Sequence, residues 1–270
     1  MSEFEKLKVV TKYEFLKQFR RKRFYGALAI TVLAVVLTIG LYKGLDLPGR
    51  MGIRDSPEFF AMLVTSMSSM AILGAVFFAG DAIASEFERK TGYILFPNPV
   101  KRITLVVGKY IACVVATAII IIIAYLISAG ALLGFYQQVP GGILGSMAIA
   151  LMLACSVISM AFVFSSVFKG GMGATIATLL TYMVIFSVIS GVLSFAGYDP
   201  WFLPNRAGDA VTATYGITFE QAFGGMSAGA HMGGPMFSSP DPTLSFFVLL
   251  GYTVVFLPIS IWLAKRKEMI

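Results

Sequence analysis

The sequence predicts an all-α, polytopic membrane protein, and three observations carry that reading. The chain of 270 residues is 57% hydrophobic and only 13% charged, against roughly 25% charged in ordinary soluble domains, and its mean hydropathy is +0.83. Six apolar runs are each long enough to cross a hydrocarbon core of roughly 30 Å, which takes about 20 helical residues. The basic residues, which make the net charge +7, are divided unevenly between the connectors, as the topology of membrane helices demands. Unpaired backbone groups are costly in lipid, so each run is expected to be a helix; the runs are too long and too uniformly apolar for barrel strands.

The elements follow in chain order. Residues 4–24 place Phe4, Leu7, Val10, Tyr13, Leu16 and Phe19 at spacings of three, with bases crowded between them. That suits an amphipathic helix, within residues 1–24, lying on the inner membrane face with its apolar side down. Spans one and two are expected near 25–42 and 58–80. A polar connector, 81–102, carries Asp81, Glu86, Glu88, Arg89, Lys90, Lys101, Arg102 and two prolines. Span three, near 104–134, extends about 45 Å at 1.5 Å per residue and must tilt or project beyond the bilayer. Lys109 near its start is expected to snorkel to the lipid headgroups. Spans four (143–168) and five (173–196) are joined so tightly, through "KGGMG", that they must be antiparallel neighbours. Residues 197–243 form a long outer loop with eight glycines and five prolines, in which 207–223 suit a short helix and "PWFLP" at 200–204 packs the loop onto the span ends. A loop of that length in a compact chain points to function. Span six lies near 244–264, and the whole of 1–270 reads as one transmembrane domain without internal repeats.

Of the 21 Lys and Arg residues, 17 fall on one side of this layout, eight of them before the first span. The positive-inside rule places that side, with both termini, in the cytoplasm of a multi-pass cell-membrane protein. The basicity is therefore a topology signal and not a nucleic-acid footprint. The first apolar run begins only near Tyr25, after a long polar lead and without a small-residue cleavage site, so no processing is expected. Cys113 and Cys155 both lie inside predicted spans, which argues against a disulfide framework.

The chain carries no energy source of its own. Ion-coupled transporters keep ionisable groups inside their spans, whereas these spans offer chiefly hydroxyls such as Thr65, Ser66, Ser68, Ser69, Ser156 and Ser159, read as helix-packing contacts. Unwound backbone can also bind ions, so a secondary transporter or channel stays open as an alternative. A P-loop is excluded: the one "GK", Gly108-Lys109, has Ile103 in place of the first glycine and Tyr110 in place of the hydroxyl. His231 is the only histidine, which removes most histidine-based triads and zinc sites. No catalytic residue is expected.

Residues 81–112, "DAIASEFERKTGYILFPNPVKRITLVVGKYIA", resemble the signature region of ABC-2 type permeases, the membrane subunits of ATP-binding-cassette exporters. That pattern runs from an acidic pair (Glu86, Glu88) through a glycine-containing turn to Pro-x-x-Arg (Pro99, Arg102) and then Gly-Lys opening the third span (Gly108, Lys109). One departure is that the family commonly reads Gly-Thr where this chain has Thr91-Gly92. The resemblance implies an amphipathic N-terminal helix, six spans, inside termini and a longer outer segment before the last span. It also implies partners: a separate ABC ATPase subunit in two copies, and a second permease, identical or similar. ATP and Mg would be bound by that ATPase, with no cofactor in this chain. The connector then reads as an ATPase-coupling segment, a short amphipathic helix ended before the prolines because Pro99 biases Asn98 away from helical geometry. Glu86, Glu88 and Arg89 are expected to make its polar contacts, Gly92 and Pro99 to set its shape, and Arg102, Gly108 and Lys109 to anchor it at the membrane.

The family exports lipids, polymers, peptides or drugs. One branch serves copper-enzyme maturation, and Met226, His231, Met232 and Met236 bring soft ligands suited to Cu(I) into 11 residues of the outer loop; methionine is equally an ordinary apolar residue here. The expected function is the permease subunit of an ATP-driven exporter. An ATP-driven subunit that transmits force to an outside partner without solute flux stands as an alternative.

Overall fold

The computed structural model describes residues 2–51, 55–67, 70–88, 101–217 and 239–266, and among them there are helices and no strands. Helix α1 (Glu3–Arg20) starts at a capping box: Ser2 Oγ accepts from the Glu5 N–H at 3.2 Å, and the Glu5 carboxylate accepts from the Ser2 N–H at 2.8 Å. Two donors otherwise orphaned at the helix start are thereby satisfied. Arg21, extended at φ −80° and ψ 132°, ends α1 and forms the N-cap of α2 (Lys22–Gly44). A single extended residue is thus the elbow between a surface helix and a membrane helix.

Next come α3 (Leu47–Met51), α4 (Pro57–Ser66) and α5 (Met70–Ala79). Ser56 caps α4 by accepting from the Phe59 N–H at 3.2 Å, with Pro57 in the first turn, where its missing N–H costs nothing. The expected second span therefore consists of two ten-residue helices on either side of positions 68–69, which lie outside the described residues. A five-residue helix, α6 (Ala84–Glu88), follows. The rest is α7 (Arg102–Tyr136), α8 (Ile143–Val167), α9 (Gly171–Phe195), two short turns α10 (Pro204–Gly208) and α11 (Ala210–Ala213), and α12 (Pro242–Arg266). Five of these, α2, α7, α8, α9 and α12, are long and apolar enough to cross a membrane. The expected helix over 207–223 starts earlier, at Pro204, and breaks at Asp209; residues 218–238 lie outside the described ones.

Helix α8 forms the centre. It packs most extensively against α12 and also against α5, α7 and α9, so the neighbours inferred from the short 169–173 turn do meet. One apolar cluster, around Phe78, Ile120, Ile121, Leu153, Ile158 and Phe162, fills the middle. A second, around Val35, Tyr42, Phe60, Val64 and Leu132, joins α2, α4 and α7 at the end remote from α1. There Asp55 accepts from Tyr42 Oη at 2.9 Å, from Lys43 Nζ at 3.1 Å and from Tyr136 Oη. Burial pushes the Asp55 carboxyl up, but the hydrogen bonds from Tyr136, Lys43 and Tyr42 outweigh it and hold the group below its ordinary value.

The span hydroxyls mostly bond back to their own helices. Thr65 Oγ1 donates to the Ala61 carbonyl at 2.7 Å, Ser66 to Leu63 at 2.7 Å, Ser156 to Leu153 at 2.9 Å and Ser159 to Cys155 at 2.8 Å. Local satisfaction of this kind is what apolar surroundings require of a hydroxyl. Ser68 and Ser69 are outside the described residues. Pro200, Leu203 and Pro204 are buried while Trp201 and Phe202 face outward, so only part of "PWFLP" packs inward, where α10 meets α12.

The expected apolar stripe of α1 does not form as one face. Three residues turn a helix by about 300°, so positions spaced by three drift by about 60° per step. Phe4, Tyr13 and Leu16 end up exposed (76%, 68% and 42%), whereas Leu7, Val10 and Phe19 are half-buried. The inward face of α1 lies along the first turns of α7.

Candidate functional site

The connector expected to receive a partner is described over Asp81–Glu88, and this short stretch is gripped by three helices and the α1–α2 elbow. Its start is held by α8: Ser165 Oγ accepts from the N–H groups of Ile83 and Ala84, both at 3.0 Å. These are donors that a helix start leaves without an internal partner. Asp81 takes Arg21 Nη1 at 3.2 Å and Arg23 Nη1 at 2.8 Å, tying the elbow to the end of α5. At the other end Glu88 Oε2 accepts from the Gly171 N–H at 3.0 Å. Gly170 offers no side-chain cap to α9, so a carboxylate from another segment caps that helix, with favourable charge for its N-terminus. A side chain at Gly171 would put a Cβ 2.8 Å from that of Asp81, which is why glycine suits this crossing.

Between these ends lies a buried ion cluster. Lys109 Nζ on α7 stands 2.6 Å from Glu86 Oε1 on α6 and 2.9 Å from Glu14 Oε1 on α1, with only 4% of its side chain exposed. Lys109 therefore does not snorkel to headgroups: burial against α1 and α6 gives it two carboxylates within reach, and an ammonium in such a place is retained only when paired. Glu86 likewise points its carboxylate inward, onto Lys109, where an outward polar contact had been expected from the sequence. For Glu14, burial acts to raise the carboxyl, and the charges of Lys109 and then Lys17 outweigh it, leaving the group below its ordinary value.

Gly108, next in sequence, lets α1 come this close. A Cβ there would lie 2.7 Å from Val10 Cγ1 and 3.4 Å from the Thr11 nitrogen. Beside it Gln18 Nε2 donates to Cys113 Sγ at 3.4 Å, and Lys17 reaches Glu14 at 3.5 Å. Arg102 donates from Nη1 to the Lys265 carbonyl at 3.0 Å, so the start of α7 and the end of α12 meet at the same end of the bundle as α1. Arg89, Gly92 and Pro99 lie outside the described residues, as do Met226, His231, Met232 and Met236. Among the described residues no group of three or more His, Cys, Asp or Glu side chains is placed to hold a metal.

Sequence reading missed Glu14 and the Arg21–Arg23–Asp81 contact. A signal for Glu14 was present: Thr11, Glu14 and Gln18 recur at spacings of three and four, a polar row on the face of α1 that turns inward. Nothing in the sequence specified that its partner would be Lys109, 95 positions away.

Apolar helices of membrane-spanning length held around a short connector helix, in a sequence without a P-loop, define the class: a helical membrane protein whose connector is tied into the bundle by ion pairs and caps. The chain belongs to the ABC-2 family transporter proteins, whose sequence model matches residues 8–269. It is also similar to a curated relative from Pseudomonas aeruginosa, described as a probable ABC transporter permease protein NosY, with 30% identity over 145 residues. That match takes in 52% of this chain and 53% of the relative, so it spans only about half the length of each.

Proposed function

We propose that this chain is the permease subunit of an ATP-driven exporter, moved by a separate ATPase subunit and working as a pair with a second permease. The observation that carries this reading is the seating of Asp81–Glu88. Ser165, Lys109, Gly171 and the two elbow arginines hold one short segment to α8, α7, α9 and the α1–α2 junction. A push on α6 is then delivered to all of them together, because ion pairs and caps of this kind resist independent motion of their members. Membership of the ABC-2 family supports an ATPase as the source of the push. Six spans, with α4 and α5 together as the second, and termini on the ATPase side complete the proposal; the common location of α1, Arg102 and Lys265 supports it. The chain would contribute no catalysis and no cofactor site, ATP and Mg being held by the partner.

The test is affinity purification of the tagged chain from its native cells in mild detergent, followed by reconstitution. We expect an ATPase to copurify with ATP hydrolysis and to be lost on Glu88→Lys, with the variant still extracted as a folded membrane protein. If the unaltered chain brings down no ATPase under several gentle conditions, the coupling proposal fails and ion-driven flux assays take its place. Hydrolysis that is coupled to the chain but moves no solute in vesicles would favour a force-transmitting subunit over an exporter.

A further inference from the structure

Residues 17–23 carry five cations, Lys17, Arg20, Arg21, Lys22 and Arg23, and no acid. The fold uses them unequally. Arg21 and Arg23 turn to Asp81. Lys17 reaches Glu14 but leaves 45% of its side chain exposed, and Arg20 has no ion-pair partner among the described residues. Tyr13, Leu16, Lys17 and Arg20 fall at i, i+3, i+4 and i+7, on one face of α1. With Arg21 they wall an open recess of about 450 Å³.

The position of this recess says what can fill it. Arg21 is the N-cap of α2, a helix of membrane-spanning length, so the recess opens at the edge of the hydrocarbon layer. Exposed Tyr13 and Leu16 give it the amphipathic wall favoured at headgroup depth, and guanidinium and ammonium groups suit a phosphate. Its charge is only partly compensated: Arg21 is held by Asp81, Lys17 reaches Glu14, which is already shared with Lys109, and Arg20 is left over. Consistently, the Lys17 ammonium is held below its ordinary value, first by burial and then by the charge of Lys109.

We propose that the recess formed by Tyr13, Leu16, Lys17, Arg20 and Arg21 binds the phosphate headgroup of an anionic phospholipid from the leaflet on which α1 lies. Occupancy bears on the connector through shared partners. A phosphate that takes Lys17 leaves Glu14 to Lys109, and Lys109 is the cation that holds Glu86 of α6. The lipid thus acts at the first of three linked ion pairs between the membrane surface and the coupling segment.

The full chain in nanodiscs of phosphatidylcholine with a fixed minor fraction of phosphatidylglycerol provides the test, with retained lipid read by native mass spectrometry. We expect phosphatidylglycerol to be retained over phosphatidylcholine. Retention should fall about 25-fold in K17Q/R20Q, since each basic group near an anionic surface is worth about a factor of five. It should change by less than about twofold in K8Q/K12Q, which removes the same charge from the same helix outside the recess. R20Q alone, which breaks no ion pair, should show part of the loss and guards against misfolding of the double variant. Equal losses in the two double variants would mean diffuse surface attraction and overturn the site, as would absence of any preference in the unaltered chain. Displacement of the lipid by millimolar glycerol 3-phosphate would overturn the assignment to a lipid in favour of a small soluble anion.

Discussion

Replacing Lys109 by methionine removes a buried cation that both Glu14 and Glu86 contact, from a site in which water is largely excluded. Loss of one partner from a buried pair costs about 3–5 kcal/mol, so K109M is expected to lower unfolding stability in detergent by that order. Neutralising both acids as well, in E14Q/E86Q/K109M, should recover most of the loss, because a neutral cluster carries no stranded charge. The Asp55 clamp is different in kind. Its Lys43 and Asp55 side chains are 31% and 43% exposed, and pairs that wet contribute about 0–1 kcal/mol. Glu14 also gives the buried cluster a pH signature. Its folded carboxyl lies below its ordinary value, so its contribution is complete above the usual glutamate range. It is lost as pH falls through the lowered folded value. Thermal unfolding against pH should show this acid-side decline in the unaltered chain and a shallower one in Glu14→Gln.

At the scale of elements, the contact of α1 with α7 rests on an approach that only a residue without a side chain permits. Gly108→Ala places a methyl within 2.7 Å of Val10 Cγ1. Overpacking of that sort costs about 1–3 kcal/mol, and a second change, Val10→Ala, should restore much of it; a melt of the single and double variants reads both effects. The start of α6 depends on one hydroxyl. Ser165→Ala strands the Ile83 and Ala84 N–H groups, with an expected cost of about 1–3 kcal/mol for lost buried partners. Hydrogen exchange at those two amides should accelerate while exchange in the middle of α8 stays slow. Five of the six expected spans stand as helices long and apolar enough to cross a membrane, because run length and apolar composition act locally; the Ser56 cap with Pro57 also rests on a local pattern but formed no part of the sequence reading. The drift of the α1 stripe was also computable from helix geometry, but the face that turns inward is chosen by α7.

For the whole molecule, charge distribution and the meeting of α1, Arg102 and Lys265 at one end make a topological prediction. A cysteine placed at Lys8 should be labelled by an impermeant thiol reagent only from the cytoplasmic side, and one at Asp46 only from the opposite side. Cys113 is buried, and the unaltered chain supplies the background for Cys155. Labelling of both positions from the same side would break the layout of spans on which the coupling proposal depends.

The sequence by itself determined the helical membrane class, the approximate spans, the absence of a P-loop and the segment from Asp81 to Lys109 as the one to watch. The first three follow from composition, run length and short-range spacing; the last follows from the resemblance to the ABC-2 permease signature. Only the tertiary structure decided what Glu86, Glu88 and Lys109 do within that segment. Their partners, Glu14, Gly171 and each other, are brought together from α1, α6, α7 and α9, and no local pattern encodes which face of each helix will turn inward. Lys109 shows the reason most clearly. A lysine near a span end can snorkel or pair, and the choice depends on whether neighbouring helices bring carboxylates close enough to outweigh the cost of leaving water.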